Sequence, residues 1–156
     1  SVAGSMHCER LDISDLIFFV VVMGAAYVRF APSDPDRWHV DPADEEDPGS
    51  SGLRLVGQDA PRFPGHSSDV LAMFAEIVTA SPRSRRLDGD VDEGMMTFVS
   101  RTKIMGYPDF LTVKATDEGT KTKLSILARS RFGSNDHDVN RTRLEHWLGE
   151  LDRALR

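Results

Sequence analysis

Cysteine is almost absent from this sequence, which contains only Cys8. A single cysteine excludes an intrachain disulfide bond and a zinc site built from several thiolates. Met6 and His7 precede Cys8, so the small-residue approach of a lipoprotein cleavage site is also missing. We therefore assign no structural or targeting role to this cysteine.

Motifs of the common catalytic classes are missing as well. The sequence has no H-E-x-x-H pair, no G-x-S-x-G elbow, and no glycine-rich phosphate loop that ends in Lys-Ser or Lys-Thr. Its five histidines include no pair at the i, i+4 spacing of metal ligands. We therefore expect neither a cofactor nor a metal, and favour a non-enzymatic protein.

One cluster keeps an enzymatic alternative open. His137 stands between Asp136 and Asp138, and carboxylates can orient an imidazole or raise its pKa. A small hydrolase or metal-dependent enzyme could use this triplet for acid–base chemistry or metal binding. The other interpretation is an exposed cap at the start of a helix.

An excess of positive charge is also lacking, because the net charge is −6 at pH 7. Residues 1–80 carry 5 basic and 13 acidic side chains, whereas residues 81–156 carry 14 basic and 12 acidic ones. Nonspecific nucleic-acid binding depends on neutralising phosphates. We therefore exclude nucleic acid as a partner.

A hydrophobic run near the N-terminus, Leu16 to Val28, contains thirteen uncharged residues. A membrane-spanning helix needs about 20 residues. Extending the run to residues 13–31 gives 19 residues but includes Asp15 and Arg29. Arg29 can extend its charge to the membrane interface, which is also a layer that suits Tyr27.

This run has three possible interpretations: a membrane anchor, the core of a signal peptide, and a buried strand or helix of a soluble domain. We expect residues 1–30 to be a membrane anchor and the domain to lie outside the cytoplasm, in the periplasm. Arg10 precedes the run and Arg29 and Arg37 follow it, so the positive-inside rule does not fix the orientation.

Residues 31–67 form a predicted linker, because they contain six of the eight prolines and the acidic cluster Asp44-Glu45-Glu46-Asp47. Proline removes a backbone donor, and a polar acidic stretch that leads into glycine and serine is typical of a mobile tether. Trp38 is the exception in this polar segment. It could fold back onto the domain as an apolar anchor.

Residues 68–156 show the patterns of a globular α+β domain. A helix is predicted to begin near Asp69, with Ser67 or Ser68 as its cap, and to stop at Ser81-Pro82. A last helix is predicted after Asp136 or Asp138, with apolar positions that include Val139, Leu144, Trp147 and Leu151. Three strands are predicted between the helices, at residues 95–104, 110–116 and 122–132, with a short strand possible at 84–87.

Turns separate these strands, so we expect an antiparallel β-meander packed against two helices, which is a two-layer sandwich. Alternate side chains of a strand point to opposite faces of the sheet. Parity therefore predicts that one open face carries six basic residues with Phe110 and Leu127 among them. The six are Arg101, Lys103, Lys114, Lys123, Arg129 and Arg131.

This basic face gives the leading functional hypothesis. Arginine binds phosphate or carboxylate in a bidentate manner, and a helix N-terminus favours anions. We expect a membrane-anchored domain that binds a protein or a small anionic ligand here. The alternative is that Asp109, Asp136 and Asp138 pair with these arginines and stabilise the turns. The expected ligand-binding residues are Arg101, Arg129, Arg131, Asn140 and Arg141.

Several unusual motifs run through the chain: APSDP (31–35), RWHVDP (37–42), TFVSR (97–101), GYPD (106–109), RSRFG (129–133), Asp136, VNR (139–141) and WL (147–148). Together they resemble the bacterial domain-of-unknown-function family 1499, roughly over residues 27–151. The resemblance implies no particular activity, but members often carry a short N-terminal hydrophobic segment, which favours the anchor. Asp138 departs from the glycine expected before VNR, and aspartate tolerates a left-handed backbone less well than glycine.

Overall fold

The structure, a computed structural model, describes residues 10–132 and 137–156. Within them the chain forms four α-helices, six strands and two short 3-10 helices (Gly49–Ser51 and Gly57–Asp59). The α-helices are α1 (Ile13–Phe30), α2 (Pro35–Trp38), α3 (Ser67–Ala80) and α4 (His137–Ala154). The strands are β1 (Gly52–Leu55), β2 (Arg62–Pro64), β3 (Ser84–Asp90), β4 (Met95–Arg101), β5 (Pro108–Glu118) and β6 (Lys121–Ser130).

The strands build one antiparallel sheet in the order β1-β6-β5-β4-β3, and β2 also pairs with β6. Strands β3 to β6 are joined in sequence, so the predicted meander is confirmed. Helices α3 and α4 pack against each other and against one face of this sheet. The α+β class and the two-layer arrangement predicted from the sequence are therefore confirmed.

The main core lies between this face and the two helices. It is built from apolar side chains of α3 and α4 and from the strand residues whose parity points toward them. The largest fully buried members are Phe74, Phe98, Leu71, Leu124, Ile126, Leu144 and Leu151.

The position predicted for Val139 in this core is wrong, because its side chain is 49% exposed. At 100° per residue, Val139 is turned roughly 140° from Leu144 around the helix axis. Asn140, four residues before Leu144, takes the inward position instead and is buried.

Two predicted element ends also differ from the structure. β4 ends at Arg101, so Lys103 and Ile104 lie in the following turn rather than in a strand, and Ile104 is 85% exposed. The short strand predicted at residues 84–87 is longer in the structure, because β3 continues to Asp90 past a bulge between Arg86 and Asp88. Pairing with β4 outweighs the local turn preference there.

The conformation of residues 31–67 differs from the mobile tether predicted from their prolines. Both β1 and β2 lie in this segment and pair with β6, for example through Leu53 with Ala128 and Phe63 with Thr122. Pro64 ends the short outer strand β2, where proline is tolerated. The division into domains at residues 30 and 67 stays a prediction.

The first part of this segment crosses the sheet face opposite α3 and α4. Trp38, at the end of α2, is only 4% exposed and packs with Val99, Phe110 and Leu87. The expected return of Trp38 to the domain is therefore confirmed. The expectation of an open face is wrong around Phe110, because Trp38 covers it.

Polar contacts attach this first part of the segment, residues 31–41, which we call the cover, to the sheet. The Thr112 hydroxyl donates to the carbonyl oxygen of Trp38 at 3.0 Å. His39 Nδ1 lies 2.8 Å from Thr97 Oγ1, and its Nε2 lies 2.7 Å from a carboxylate oxygen of Glu93. Both threonines are buried in the sheet, so water does not compete for their hydrogen bonds to the cover, whereas the Glu93 side chain is exposed.

Helix α1 has no buried residue. The interpretation of this run as a buried strand or helix is therefore wrong. Asp12 and Asp15 form a reciprocal capping box, which gives Asp15 a role at the helix start. By length and composition α1 could cross a membrane, and a signal sequence would meet the same criteria.

The N-terminus of helix α3 is capped by a side chain from a distant strand. Its N-cap residue is His66, and the predicted cap at Ser67 or Ser68 is wrong. Asp117 of β5 accepts hydrogen bonds from the Ser67 amide at 2.8 Å and from the Ser67 hydroxyl at 2.9 Å. These bonds lower the pKa of Asp117, the amide bond having the largest effect.

Candidate anion-binding cleft

A cleft of about 580 Å³ lies where the C-terminal end of α1 meets the ends of β3 and β4. Five basic side chains line it, and none of the described lining residues is acidic. Phe30 and Val99 add apolar wall, and Ser84 and Thr102 add hydroxyl groups. The five basic residues are Arg29, Arg83, Arg85, Arg101 and Lys103.

Strand pairing explains how the sequence brings most of these residues together. Arg85 of β3 lies opposite Val99 of β4, so the two residues share a face. Arg101, two residues after Val99, points to that same face. Arg83 is joined to Arg101 directly, since the Arg101 amide donates to the Arg83 carbonyl at 3.0 Å.

The turn after β4 fixes the direction of the Arg101 side chain. Arg101 Nη1 donates to the carbonyl of Gly106 at 2.9 Å, and the Thr102 amide donates to the carbonyl of Tyr107 at 3.0 Å. Gly106 has a φ of 69°, and a Cβ there would lie 3.2 Å from Cγ of Arg29. The last turn of α1 therefore rests against this turn and supplies Arg29 to the cleft.

The positive charges of the cleft act on one another. The pKa of Arg101 is lowered first by burial and then by the charges of Arg85, Arg131 and Arg29. The ion pairs found among residues 10–132 and 137–156 involve none of the five cleft cations. An anion in the cleft would offset this mutual repulsion.

Arg83 has an unusual backbone conformation, with a φ of 60°. It is the one non-glycine residue with positive φ in the described part of the chain. Such a conformation costs on the order of 1–3 kcal/mol and is concentrated at functional sites. The side chain also contributes to the local geometry, because its Nε donates to the Arg101 carbonyl at 3.2 Å.

Arg129, a predicted ligand residue, is instead part of the contact with the cover. Its Nη2 donates to the Trp38 carbonyl at 3.0 Å, and its guanidinium lies 4.9 Å from the centroid of the Trp38 ring. Burial lowers its pKa, the Glu45 carboxylate 3.7 Å away acts against this, and Arg37 adds to the lowering. Its side chain is 17% exposed, which leaves little surface for a ligand.

Arg131, another predicted ligand residue, lies within electrostatic reach of Arg101. Its Nη1 donates to the Pro32 carbonyl at 2.7 Å, and its guanidinium lies 5.2 Å from the centroid of the Phe132 ring. Its charge lowers the pKa of Arg101. Arg131 therefore adds positive potential to the site, although it is not among the lining residues.

Asn140 and Arg141 do not join the predicted site, because α4 lies on the other side of the sheet. Asn140 is buried and donates to the Ser130 hydroxyl at 2.9 Å, which in turn donates to Asp109 at 2.7 Å. Arg141 is exposed on α4. Ser130 has the parity of Ala128, which faces the helices, so Asn140 closes the helix side of the sheet rather than the basic side.

Two other predicted members of the basic face are paired with carboxylates. Lys114 forms an ion pair with Asp41 of the cover, and Lys123 lies 3.6 Å from Glu118. Asp109 is 3.6 Å from Arg143 on the helix side, so it stabilises α4 against the sheet.

Sequence reasoning missed three lining residues, Arg29, Arg83 and Arg85. The cluster Arg83-Ser84-Arg85-Arg86 was a usable signal, because three arginines in four residues on an edge strand mark a charged surface. Arg29 was recognised only as an interfacial residue. Its place in the cleft depends on how α1 meets the β4–β5 turn.

No group of three or more metal-ligating side chains occurs among the described residues. The triplet of Asp136, His137 and Asp138 falls largely outside them, since Asp136 and the side chain of His137 are not described. The enzymatic alternative built on His137 therefore stays a prediction.

Residues 33–151 match the model of a protein family described as a protein of unknown function, DUF1499. The chain belongs to this family. The resemblance found in the sequence motifs is thereby confirmed. No curated protein and no solved structure shows a significant match. Four of the five cleft cations lie within the DUF1499 match, and Arg29 lies just before it.

Proposed function

We propose that this protein is a membrane-anchored, non-enzymatic domain that binds a small anionic ligand in the cleft beside Arg101. The observation that carries this proposal is the convergence of five cations in one cleft without an acidic lining residue among those described. Burial lowers the pKa of Arg101, and the charges of Arg85, Arg131 and Arg29 lower it further, which supports a site of concentrated positive charge.

The composition of the cleft suits a phosphate or carboxylate group. Guanidinium groups bind both in a bidentate manner, and a cleft of one charge sign raises the local concentration of the opposite ion. The volume of about 580 Å³ lies in the range of about 300–1,000 Å³ typical of small-molecule sites. Phe30, which is exposed, would contact an apolar part of the ligand.

The anchor is supported by α1. Its 18 residues correspond to about 27 Å of helix, close to the roughly 30 Å of a bilayer core. None of them is buried by the domain, so a lipid environment would cover the apolar surface that the protein leaves exposed. We further propose that the domain faces the periplasm.

Binding can be tested with the full chain in detergent micelles and inorganic phosphate as the probe, by titration calorimetry. Arg101→Gln and Arg85→Gln are expected to weaken phosphate binding by about tenfold or more, because each removes a charge-assisted hydrogen bond. Arg141→Gln removes the same charge from α4 and is the matched control. If all three variants lose the same affinity for phosphate, the effect comes from the net charge of the protein, and the proposal of a binding cleft is wrong.

The anchor and its orientation can be tested separately in cells. A full chain with Cys8→Ser and one new cysteine at exposed Arg153 should fractionate with membranes and react with a membrane-impermeant thiol reagent in spheroplasts. Release of the chain into the soluble fraction, with loss of residues 1–30, would show a cleaved signal sequence instead.

A further inference from the structure

The turn between β4 and β5 exposes two adjacent apolar side chains. Ile104 is 85% exposed and Met105 is 43% exposed. Among the described residues after α1, Val139 is the one other large hydrophobic residue with comparable exposure. A soluble anion would not account for an exposed apolar pair at this place, because such a pair would stay in water after binding.

This turn is adjacent to the C-terminal end of α1. Gly106 packs against the Arg29 side chain, and Lys103 and Gly106 line the same cleft as Arg29 and Phe30. Phe30, the last residue of α1, is itself 77% exposed. If α1 crosses a bilayer, its C-terminal end lies at the interface, and the turn must lie at a similar depth.

The chemistry of the turn fits that depth. Lys103 and Arg29 are long cationic side chains beside apolar ones, which is the composition of segments that lie in a membrane interface. Basic residues close to the surface attract anionic lipid headgroups, and apolar side chains add burial at the boundary of the acyl chains. The cleft is lined on one side by Arg29 and Phe30 of the helix end and on another by Lys103 of the turn.

We infer that the anion bound in the cleft is the phosphate of an anionic phospholipid in the membrane that holds α1, with Ile104 and Met105 inserted at the acyl boundary beside it. This inference rests on the proposed function and names its ligand class. Arg101 and Arg85 contact the headgroup phosphate from the sheet, and Arg29 contacts it from the helix end. Phe30 lies alongside the first part of the acyl chain.

The depth of the turn provides the first test. The full chain carrying Cys8→Ser and Ile104→Cys is labelled with a nitroxide and reconstituted into vesicles of phosphatidylcholine and phosphatidylglycerol. The label is expected to collide with oxygen more than with a water-soluble nickel complex. The matched control is Val139→Cys on α4, whose label is expected to show the reverse. A label at position 104 that is as accessible to nickel as the control overturns the insertion.

The headgroup provides the second test. Spin-labelled phosphatidylglycerol should show an immobilised component with the full chain that spin-labelled phosphatidylcholine lacks. Arg101→Gln should remove this component, and Arg141→Gln should retain it. Equal immobilisation of both lipids, or an unchanged component in Arg101→Gln, overturns the lipid assignment.

The two proposals fail in different ways. If the detergent-solubilised chain binds inorganic phosphate through Arg101 but position 104 stays in water and phosphatidylglycerol is not preferred, the lipid assignment is wrong and the anion cleft stands. If neither the binding of inorganic phosphate nor the immobilisation of phosphatidylglycerol depends on Arg101, both the anion cleft and the lipid assignment are wrong.

Discussion

The indole of Trp38 lies parallel to the phenyl ring of Phe110, with the ring centroids 3.9 Å apart and the planes inclined by 7°. Phe110 belongs to a central strand, whereas Trp38 belongs to a segment whose prolines and acidic residues predict a tether. This stack closes the middle of the sheet face opposite α3 and α4. It also divides the predicted basic face, because Arg129 becomes part of the closure while Arg101 remains in a cleft.

Removing the stack should be costly. Trp38→Ala deletes a side chain that is 4% exposed, and burial of this kind predicts a loss of about 3–5 kcal/mol in the free energy of unfolding. Urea denaturation measures it. Val139→Ala, at an exposed apolar residue, should change the same quantity by less than about 0.5 kcal/mol. A loss below about 1 kcal/mol in Trp38→Ala would show that the cover is not packed as described.

The same substitution should mainly lower stability at Arg129 and mainly weaken phosphate binding at Arg101. Arg129→Gln removes the guanidinium contacts with the Trp38 carbonyl and with the Trp38 ring, so the free energy of unfolding should fall by about 1–3 kcal/mol. Arg101→Gln should lose phosphate binding instead, and its loss of stability should be the smaller of the two. Denaturation and calorimetry on both variants check this. A folded Arg129→Gln of normal stability that no longer binds phosphate would restore Arg129 as a ligand residue.

Gly89 should be intolerant of a side chain. It has a φ of 81°, and a Cβ there would lie 2.1 Å from the Met95 carbonyl oxygen and 2.7 Å from Cε1 of His39. Gly119 has a φ of 66° with nothing within 4 Å of its Cβ position, so Gly119→Ala reports backbone strain alone, about 1–2 kcal/mol. Gly89→Ala should lower the free energy of unfolding, measured by urea denaturation, clearly more than Gly119→Ala does. Equal losses would mean that the steric contacts are relieved at no cost.

Asp41 should make stability depend on pH. Burial acts to raise its pKa, but hydrogen bonds from Lys114 and the Ala43 amide, together with the Lys114 charge, outweigh burial and lower it. A carboxyl whose pKa is lowered by folding stabilises the protein above its ordinary value of 3.8, and this stabilisation is lost as the pH falls through the lower folded value.

Comparison with Asp41→Asn isolates this contribution. The pKa values of Asp117 and Glu118 are also lowered, so wild type and variant share part of the acid sensitivity. The difference in the free energy of unfolding between them should be constant near neutral pH and should shrink below about pH 4. A difference that does not change with pH would rule out the ion pair with Lys114 as its source.

Arg83 should show a trade-off between stability and binding. Arg83→Gly relieves the positive φ, so the free energy of unfolding should stay the same or rise by up to about 1–2 kcal/mol, while phosphate affinity should fall. Arg86→Gly is the matched control, because it removes the same side chain from an exposed β3 position. It should lower the free energy of unfolding by about 0.5–1 kcal/mol. A destabilised Arg83→Gly would show that its side chain holds the turn rather than a ligand.

The meander and the face to which each strand residue points could be predicted from local pattern, because the two-residue period of a strand and the turn residues between strands are local properties. Arg101, Arg129 and Arg131 do share the face that parity assigns to them. Local pattern also predicted Leu144, Trp147 and Leu151 on the inner side of α4, because helical spacing is visible within one segment of the sequence.

Which of those arginines remain available for a ligand depends on long-range packing. Trp38 covers Arg129, Asp117 caps α3 across 50 residues, and α1 delivers Arg29 to the cleft. Each of these contacts joins segments far apart in the sequence, so its free energy depends on packing that no local window contains. The sheet also separates Asn140 from Arg101, because Asn140 on α4 packs against one face and the Arg101 side chain points to the other.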